Sequence, residues 1–394
     1  MTTGRVVFVL TLTALVWVFL FWRLGVASRL RRRTTRLVGV ALVPFVLLTT
    51  GGMGLSLGVP DPKAWRPLTA SLLVGAALLL YVVLGTVVQL LVAALWRLYD
   101  ALRGRIVSPE IQGHRVRRLN AGVLAIAVLT TAYGFVEAST PTVSRITVTS
   151  GDLPAEFDGY RVALVTDVHV GPGRSGAFLA DAVRQVNAED VDMVVVAGDL
   201  VDGTVAGLGA ELRPLSDLRG KQGVVITTGN HEFYSGASDW VAEWRGRGLT
   251  VLTNQSMVLR RGTASIDVLG VNDRSGTPPL AEDLEAALAT LPAQGVSPAD
   301  TGRFRLLIAH QPRQARTGGN LAARSGVDLQ LSGHTHGGQL WPLHYAVPLQ
   351  QGTLAGMDTL GGIPVYTSRG VGGFGPPVRV GAPPEIPVVT LRRG

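Results

Sequence analysis

The residues best suited to chemistry in this sequence are histidines and carboxylates that occur in short motifs. In one of them, Gly333-His334-Thr335-His336-Gly337, two imidazoles lie two residues apart between glycines. Glycine permits a positive backbone φ and a close backbone approach, so both rings can be directed at one point. Because imidazole is a common metal ligand, this is a candidate metal-binding loop. Taken alone, it could also be a surface loop that contains two histidines by chance.

Four other motifs contain the same types of residue. They are Asp167-Val168-His169, Gly198-Asp199-Leu200-Val201-Asp202, Gly229-Asn230-His231-Glu232 and His310-Gln311-Pro312. Singly, Asp-x-His and Gly-Asp are weak signals that occur in many proteins. The five motifs together, however, hold five of the seven histidines of the chain, and only His114 and His344 lie elsewhere.

The elements that must position these motifs are apolar, β-branched runs that alternate with helical patterns from Tyr160 onward. We predict strands at 161–166, 192–197, 223–228, 304–309 and 327–331, and helices at 177–188, 210–218 and 238–247. Such alternation predicts an α/β fold with a largely parallel sheet, whose functional loops lie at the carboxyl ends of the strands. Every motif follows a predicted strand, so the five motifs are expected to converge.

The donor set indicates metal-dependent hydrolysis. Imidazole and carboxylate ligands without sulfur suit Mn, Fe or Zn ions, and a carboxylate with two oxygens can bridge two ions. Two ions about 3.5–4 Å apart lower the pKa of a shared water and neutralise charge on phosphoryl oxygens during in-line attack. The alternative is a hydrogen-bonded network of buried His and Asp residues without metal, in a domain that only binds.

This ordered set of motifs resembles the calcineurin-like metallophosphoesterase superfamily over about residues 160–393. Three further features are similar to its membrane-associated bacterial branch. They are Gly270-Val271-Asn272-Asp273, the Gly337-Gly338-Gln339 tail of the His loop, and Tyr366-Thr367-Ser368-Arg369-Gly370 with the later Pro384-Glu385-Ile386. The resemblance implies an αββα sandwich and a dinuclear metal site.

The resemblance also implies a role for each motif residue. Asp167, His169 and His336 would bind one metal ion, Asn230, His310 and His334 would bind the other, and Asp199 would bridge the two. His231 would bind no metal and would stabilise or protonate the leaving oxygen. Glu232 stands where many relatives have Asp, and it is a candidate to orient His231. Asp202 is interpreted as an acceptor that stabilises its loop.

Arginines near the metals should meet the charge of a phosphate group. Candidates on or near the loops that follow strands are Arg174, Arg274, Arg313 and Arg369, and each could instead be an ordinary surface charge. Phe233, Tyr234, Trp341 and Phe374 could form an apolar wall of the site, or they could be core residues. The segment 370–377, rich in Gly and Pro, could form part of the rim.

The first third of the chain has a different character. The sequence of 394 residues is 47% hydrophobic with a mean hydropathy of +0.31, and the excess lies before about Glu137. Four uncharged apolar runs occur at 6–22, 37–59, 68–96 and 119–136, each near or above the roughly 20 residues that cross a hydrocarbon core. We predict a transmembrane anchor of four helices (1–137), a linker leading into the domain (138–159) and a metallophosphoesterase domain (160–394). A signal peptide is the alternative for the first run, but its positive charge would then precede the apolar core, and here it follows.

The distribution of arginine predicts the membrane topology. Arginines are concentrated at 23–36 and 97–118, whereas the loop 60–67 has only Lys63 and Arg66, and Arg145 is the only basic residue between 137 and 160. Cytoplasmic loops carry such an excess, so both termini, and with them the catalytic domain, are predicted to lie outside the cytoplasm. Much of the excess positive charge behind the sequence pI of about 10.4 lies in the two arginine-rich loops. We interpret it as charge that sets the topology and contacts anionic lipid headgroups, so no nucleic-acid partner is expected. There is no cysteine, so disulfides and thiolate metal sites are excluded.

Three functions are consistent with these features. The preferred one is a membrane-anchored phosphoesterase that uses metal-activated hydroxide on a phosphoester or pyrophosphate, with a lipid-linked substrate suggested by the anchor. The second is a tethered general phosphodiesterase or nucleotidase. The third is a membrane sensing or transport protein with an inactive metal-binding domain, which the scarcity of ionisable groups in the apolar runs disfavours.

Overall fold

The computed structural model describes residues 3–56 and 62–394 of the chain. Contacts within the chain divide it into two compact units, Met1–Gly58 with Pro67–Val136 and Val59–Arg66 with Glu137–Gly394. The first unit is built of helices, and the second contains two β-sheets.

The apolar part of the chain forms long helices. They are α1 (Thr3–Leu20), which continues into a π-helical segment (Phe21–Val26), α2 (Arg32–Ser56), α3 (Pro62–Leu102) and α4 (Pro109–Glu137). Among the described residues, three helices are long and apolar enough to cross a membrane: Arg32–Gly51 within α2, Lys63–Leu102 within α3, and α4.

The expectation of four spans is therefore wrong for the first, 6–22. The apolar helix described there, Leu10–Val26, is 17 residues long, whereas about 20 residues are needed to cross the hydrocarbon core. The end of the second predicted span, 57–59, and the start of the following loop, 60–61, lie outside the described residues.

A buried polar network links the π-helical segment to the helices that follow it. Arg23, in the π-helical segment, is 2% exposed, and its Nε donates to Oε1 of Gln89 at 2.9 Å. The amide of Gln89 donates in turn to Oδ1 of Asn120 at 2.6 Å, and Asn120 donates to Oγ of Ser28 at 2.8 Å. Arg23 thus connects the π-helical segment to α3 and α4.

The second unit contains twelve strands. In chain order they are β1 (Thr142–Ser150), β2 (Arg161–Val165), β3 (Met193–Ala197), β4 (Val224–Thr227), β5 (Thr250–Val251), β6 (Gln255–Arg261), β7 (Ala264–Gly270), β8 (Arg305–Ile308), β9 (Leu329–Ser332), β10 (Gly356–Leu360), β11 (Ile363–Thr367) and β12 (Glu385–Arg393). The helices are α5 (Gly176–Ala188), α6 (Val205–Leu208), α7 (Asn230–Ser235), α8 (Ala237–Gly246), α9 (Leu284–Ala289), α10 (Thr317–Arg324) and α11 (Val347–Gln351).

The strands form two six-stranded sheets with the orders β1-β12-β2-β3-β4-β5 and β10-β11-β9-β8-β7-β6. Neighbours from β2 to β5 are parallel, and so are β7, β8, β9 and β11. The exceptions are the antiparallel pairs β12–β2, β6–β7 and β10–β11. The largely parallel arrangement is therefore confirmed.

Three apolar clusters show how the sheets and helices are layered. One cluster joins Leu164 and Val195 of the first sheet to Ile266 and Leu306 of the second, so it lies between the sheets. A second packs α5 and α8 against the first sheet, and a third packs α9 and α10 against the second. The order helix, sheet, sheet, helix is that of an αββα sandwich.

Most predicted elements of this unit agree with the structure. The five predicted strands correspond to β2, β3, β4, β8 and β9, and the helices at 177–188 and 238–247 correspond to α5 and α8. The prediction of an α-helix at 210–218 is wrong in the type of helix. Gly209–Asp217 is a 3-10 helix that follows the single turn of α6. Pro214 lies inside it, and the ring of a proline inside an α-helix clashes with the carbonyl four residues earlier.

The segment predicted as a linker contains a strand. Thr142–Ser150 pairs in parallel with β12 along its whole length, from Thr142 opposite Glu385 to Ser150 opposite Arg393. Its sequence is rich in β-branched residues, which suits a strand, but its content of Ser and Thr resembles that of a linker. The sheet therefore begins before residue 160.

We expect a fragment that begins at residue 160 to be less stable than one that begins at residue 138. Loss of β1 leaves the outer edge of β12 unpaired, and such an edge promotes aggregation. A loss of about 2 kcal/mol would lower the melting temperature by about 5 °C in a domain of this size. Thermal unfolding with light scattering compares the fragments 138–394 and 160–394, and equal melting temperatures would show that β1 is dispensable.

Candidate metal centre

Five loops at the carboxyl ends of strands form the candidate centre. Asp167 and His169 follow β2, Asp199 follows β3, His310 follows β8, and His334 with His336 follow β9, while Asn230 begins α7 after β4. The first sheet supplies three of these loops and the second sheet supplies two. The predicted convergence is therefore a consequence of the two sheets packing face to face.

The backbone of these loops is unusual. Among the residues with positive φ are Asp167 (57°), His169 (53°), Asp199 (54°), His334 (71°) and His336 (52°). A side chain in this left-handed region costs roughly 1–2 kcal/mol. Strained residues that cluster in this way are a feature of functional sites, where the backbone is shaped to aim side chains.

Two glycines make room for the carboxylates. A Cβ on Gly229 would overlap the carboxylate of Asp199, and a Cβ on Gly333 would overlap that of Asp167. Both positions therefore require glycine for close approach. The glycines of the sequence motifs are thus part of the geometry of the centre.

Three groups of side chains in the described residues could each hold an ion; one is His169, Asp202 and His231, and the other two share Asp199. Of these two, the first is Asp167, His169, Asp199 and His336, and the second is Asp199, His310 and His334. Oδ2 of Asp199 lies 3.1 Å from Nε2 of His310 and 3.7 Å from Nε2 of His169. In the first group, Nε2 of His336 lies 3.5 Å from Oδ1 of Asp167. Each group could hold one metal ion.

Asn230 belongs to the second group by position. Its Oδ1 lies 2.8 Å from Nδ1 of His334, so the amide oxygen faces the same point as the imidazole. All seven predicted ligands are therefore brought together.

The hydrogen bonds of two histidines leave a nitrogen of each ring for a metal. Nδ1 of His310 donates to the carbonyl of Ala197 at 2.7 Å, and Nδ1 of His169 donates to Oδ1 of Asp202 at 2.9 Å. The opposite nitrogens, Nε2 of both rings, are buried without a hydrogen-bond partner. Such outer partners fix the orientation of both rings, so each Nε2 faces the buried carboxylates and is free to bind a metal once it carries no proton. Imidazole nitrogens and carboxylates that face one another in this way form a site suited to divalent cations.

Burial and charge set the protonation of the centre. Burial lowers the pKa of His334 to about 3 and that of His336 well below its usual range, so both rings are in the neutral form that binds metal. Burial would also lower the pKa of His310, but Asp199 raises it well above the usual value. In the metal-free protein His310 therefore holds a proton beside Asp199. A metal ion that binds to His310 would release this proton.

Asp202 has a larger role than the sequence indicates. Its Oδ1 accepts hydrogen bonds from Nδ1 of His169 and from Nδ1 of His231, the latter at 2.6 Å. Burial would lower the pKa of His231, but Asp199 and Asp202 raise it to about 9. His231 therefore carries a proton near neutral pH, and its Nε2 lies 4.0 Å from Oδ2 of Asp199.

Glu232 does not have the partner that we expected. Its carboxylate accepts from the backbone N–H groups of Gly229, Asp199 and Leu200 at 2.6–2.8 Å, instead of contacting the imidazole of His231. Burial raises its pKa to about 7, and Asp199 adds to this effect. Glu232 thus ties the loop after β3 to the loop after β4, a link between residues distant in sequence.

The candidate substrate arginines differ in their surroundings. Arg174 is buried, its Nη1 donates to the carbonyl of Ala138, and its guanidinium lies 4.6 Å from the centroid of the Phe178 ring. Nε of Arg274 lies 4.0 Å from Glu282. Arg369 bonds to Glu385 at 2.7 Å, and its side chain lies against Gly337, next to His336. Of these three, Arg369 is the one placed beside a predicted ligand.

The sequence gives no indication of the role of Arg379. Its side chain is fully buried, and its nitrogens donate to five backbone carbonyls, those of His336, Arg369, Gly370, Gly372 and Ala382. In the described part of the chain, no carboxylate oxygen lies within 4 Å of a side-chain nitrogen of Arg379. Burial lowers its pKa to about 9. Arg379 therefore connects the His334–His336 loop to the segment that follows β11.

Comparisons with known proteins agree with this geometry. A family model described as calcineurin-like phosphoesterase matches residues 160–338. An uncharacterized metallophosphoesterase of Aquifex aeolicus is 30% identical over 269 residues, which are 68% of this chain and 98% of that protein. One from Campylobacter jejuni is 34% identical over 257 residues, 64% of each chain. A transmembrane protein with a metallophosphoesterase domain from Bos taurus is 30% identical over 302 residues, 73% of this chain and 66% of that protein. The Campylobacter, Helicobacter pylori and Caenorhabditis elegans relatives are matched over 64%, 59% and 48% of their length.

We expect Arg379→Met to lower the free energy of unfolding of the fragment 138–394 by more than about 3 kcal/mol. Each buried carbonyl left without a donor costs about 1–3 kcal/mol. The matched control is Arg392→Met, because Arg392 is 52% exposed and pairs with Asp158 at the surface, where an ion pair contributes about 1 kcal/mol or less. Urea denaturation measures both, and equal losses would contradict the role given to Arg379.

Proposed function

Because this chain belongs to the calcineurin-like metallophosphoesterases, we propose that it hydrolyses a phosphoester or pyrophosphate bond with the help of two divalent metal ions. The observation that carries the proposal is the pair of side-chain groups that share Asp199. A single carboxylate common to two groups of nitrogen and oxygen donors is the arrangement that a dinuclear site needs.

Each group supplies a set of ligands to one ion. The first ion would be held by Asp167, His169 and His336. The second ion would be held by Asn230, His310 and His334, and Asp199 would bind both ions. The donors are nitrogen and oxygen without sulfur, which suits Mn, Fe or Zn. When bound, the two ions would activate water and neutralise charge on the phosphoryl oxygens.

His231 is proposed as the proton donor to the leaving oxygen. It lies beside both groups without belonging to either of them, and its Nδ1–H is held by Asp202. Its pKa of about 9 keeps a proton available on the ring at neutral pH. Tyr234 and Phe374 flank the imidazole, with ring centroids 5.2 and 4.9 Å away, so these aromatic residues lie where an apolar wall was expected.

The surface next to the site favours a lipid-linked substrate. Six large hydrophobic side chains are exposed among the described residues after 137, and four of them, Trp341, Leu343, Tyr345 and Leu349, lie within nine residues. We call these four the apolar segment. It begins two residues after Gln339 of the metal-binding loop, and an exposed apolar patch of this kind usually marks an interaction site. Trp and Tyr are side chains that prefer a membrane interface.

The distribution of arginine supports an extracytoplasmic domain. The basic segment 23–36 lies at the start of α2, and the basic segment 97–118 lies where α3 ends and α4 begins. The positive-inside rule assigns both segments to the cytoplasm. The domain that follows α4 then lies on the opposite side, and this assignment does not depend on whether α1 crosses the membrane.

We expect Asp199→Asn and His231→Ala both to lower turnover of bis(p-nitrophenyl) phosphate at least about 100-fold. Asp199→Asn should also lose metal, because the shared carboxylate is gone, whereas His231→Ala should retain it. Activity and metal content of each purified variant are measured together. Equal metal loss in the two variants would contradict the role proposed for His231, and a metal-loaded but inactive wild type would indicate a binding or sensing domain.

We expect the triple change Leu343→Ser, Tyr345→Ser and Leu349→Ser to reduce hydrolysis of a polyprenyl pyrophosphate in phosphatidylcholine vesicles at least about tenfold. Turnover of bis(p-nitrophenyl) phosphate should stay unchanged, since no predicted metal ligand is altered. Met357→Ser is the control, because Met357 is 44% exposed and lies outside the apolar segment. The lipid assignment would be contradicted if the triple variant turned over the lipid substrate as fast as the wild type does. It would also be contradicted if the wild type cleaved only soluble nucleotides.

A further inference from the structure

A cavity of about 220 Å³ lies between the end of α3 and the start of α4. Its charged lining consists of Arg97, Asp100, Arg105 and Arg115. All four belong to the helical unit, so the cavity is separate from the candidate metal centre, and its ligand does not depend on the proposed hydrolysis.

The charges of the cavity are not balanced. Asp100 forms an ion pair with Arg115, which leaves the guanidinium groups of Arg97 and Arg105. In the part of the chain that the structure describes, no carboxylate oxygen lies within 4 Å of a nitrogen of either group. The lining therefore has a net charge of about +2, and the arginines repel one another unless an anion lies between them.

The cavity lies where the helices change from apolar to polar. Along α3 the uncharged run ends at Trp96, and along α4 it begins at Leu119; both residues line the cavity. Arg115 lies over the Trp96 ring at 5.4 Å, and Arg105 lies over the neighbouring Tyr99 ring at 5.8 Å. Trp and Tyr at the end of an apolar span mark the level of lipid headgroups.

From the charge and the position together, we propose that this cavity binds the phosphate of an anionic phospholipid. A lipid at this level places its phosphate between Arg97 and Arg105 while its acyl chains lie along the apolar parts of α3 and α4. Basic cavities between membrane helices suit such headgroups. A zwitterionic lipid brings a compensating positive charge and is bound more weakly.

The test is native mass spectrometry of the full chain in detergent, titrated with phosphatidylglycerol or with phosphatidylcholine of the same acyl chains. The wild type should retain one phosphatidylglycerol at lower concentration than phosphatidylcholine. Arg97→Gln with Arg105→Gln should weaken retention of phosphatidylglycerol by at least about tenfold, since each charge contributes roughly fivefold at a membrane surface. The matched control is Arg118→Gln, an exposed arginine of α4 that does not line the cavity.

A second arm distinguishes a lipid from a free anion. Millimolar inorganic phosphate should leave the bound phosphatidylglycerol in place, and displacement by phosphate would overturn the lipid assignment. The proposal also fails if the double variant binds phosphatidylglycerol as tightly as the wild type does. It fails too if Arg118→Gln weakens retention of phosphatidylglycerol as much as the double variant does. Asp100→Asn gives an independent readout, because removal of the single carboxylate should strengthen retention.

Discussion

The central constraint on this structure is a group of buried carboxylates that face buried imidazole nitrogens. Asp167 and Asp199 are at most 1% exposed, and Nε2 of His169 and of His310 has no hydrogen-bond partner. Buried charge is costly unless it is paired, so an assembly of this kind needs cations, or protons in their place. Five of the predicted ligands, Asp167, His169, Asp199, His334 and His336, have a left-handed backbone. This backbone, together with the glycines beside the carboxylates, brings the ligands together.

The surrounding polar residues hold this arrangement through long-range hydrogen bonds. Asp202 orients two imidazoles, Glu232 joins two loops by their backbone N–H groups, and Arg379 joins the His loop to the segment after β11. None of the three belongs to a ligand group that shares Asp199. Each is nevertheless buried or nearly so, and each connects elements that are far apart in the chain.

Much of the fold and the site could be predicted from the sequence, because the motifs carry the ligands and each follows an apolar run of β-branched residues. The failures have physical reasons. The strand Thr142–Ser150 has the composition of a linker, and only its pairing with β12 reveals it. The first apolar run is described as a helix of 17 residues, Leu10–Val26, which is short for a span, and the contact of its Arg23 with Gln89 across 66 positions is not visible in the sequence. The partners of Glu232 and Arg379 are backbone groups, which no residue type in the sequence identifies.

Anomalous diffraction from crystals of the manganese-loaded protein would show whether Asp199 is shared by two ions. Two peaks about 3.5–4 Å apart are expected, both within coordination distance of the carboxylate of Asp199, with His336 on one side and His310 on the other. A single peak, or two peaks that do not share Asp199, would contradict this expectation.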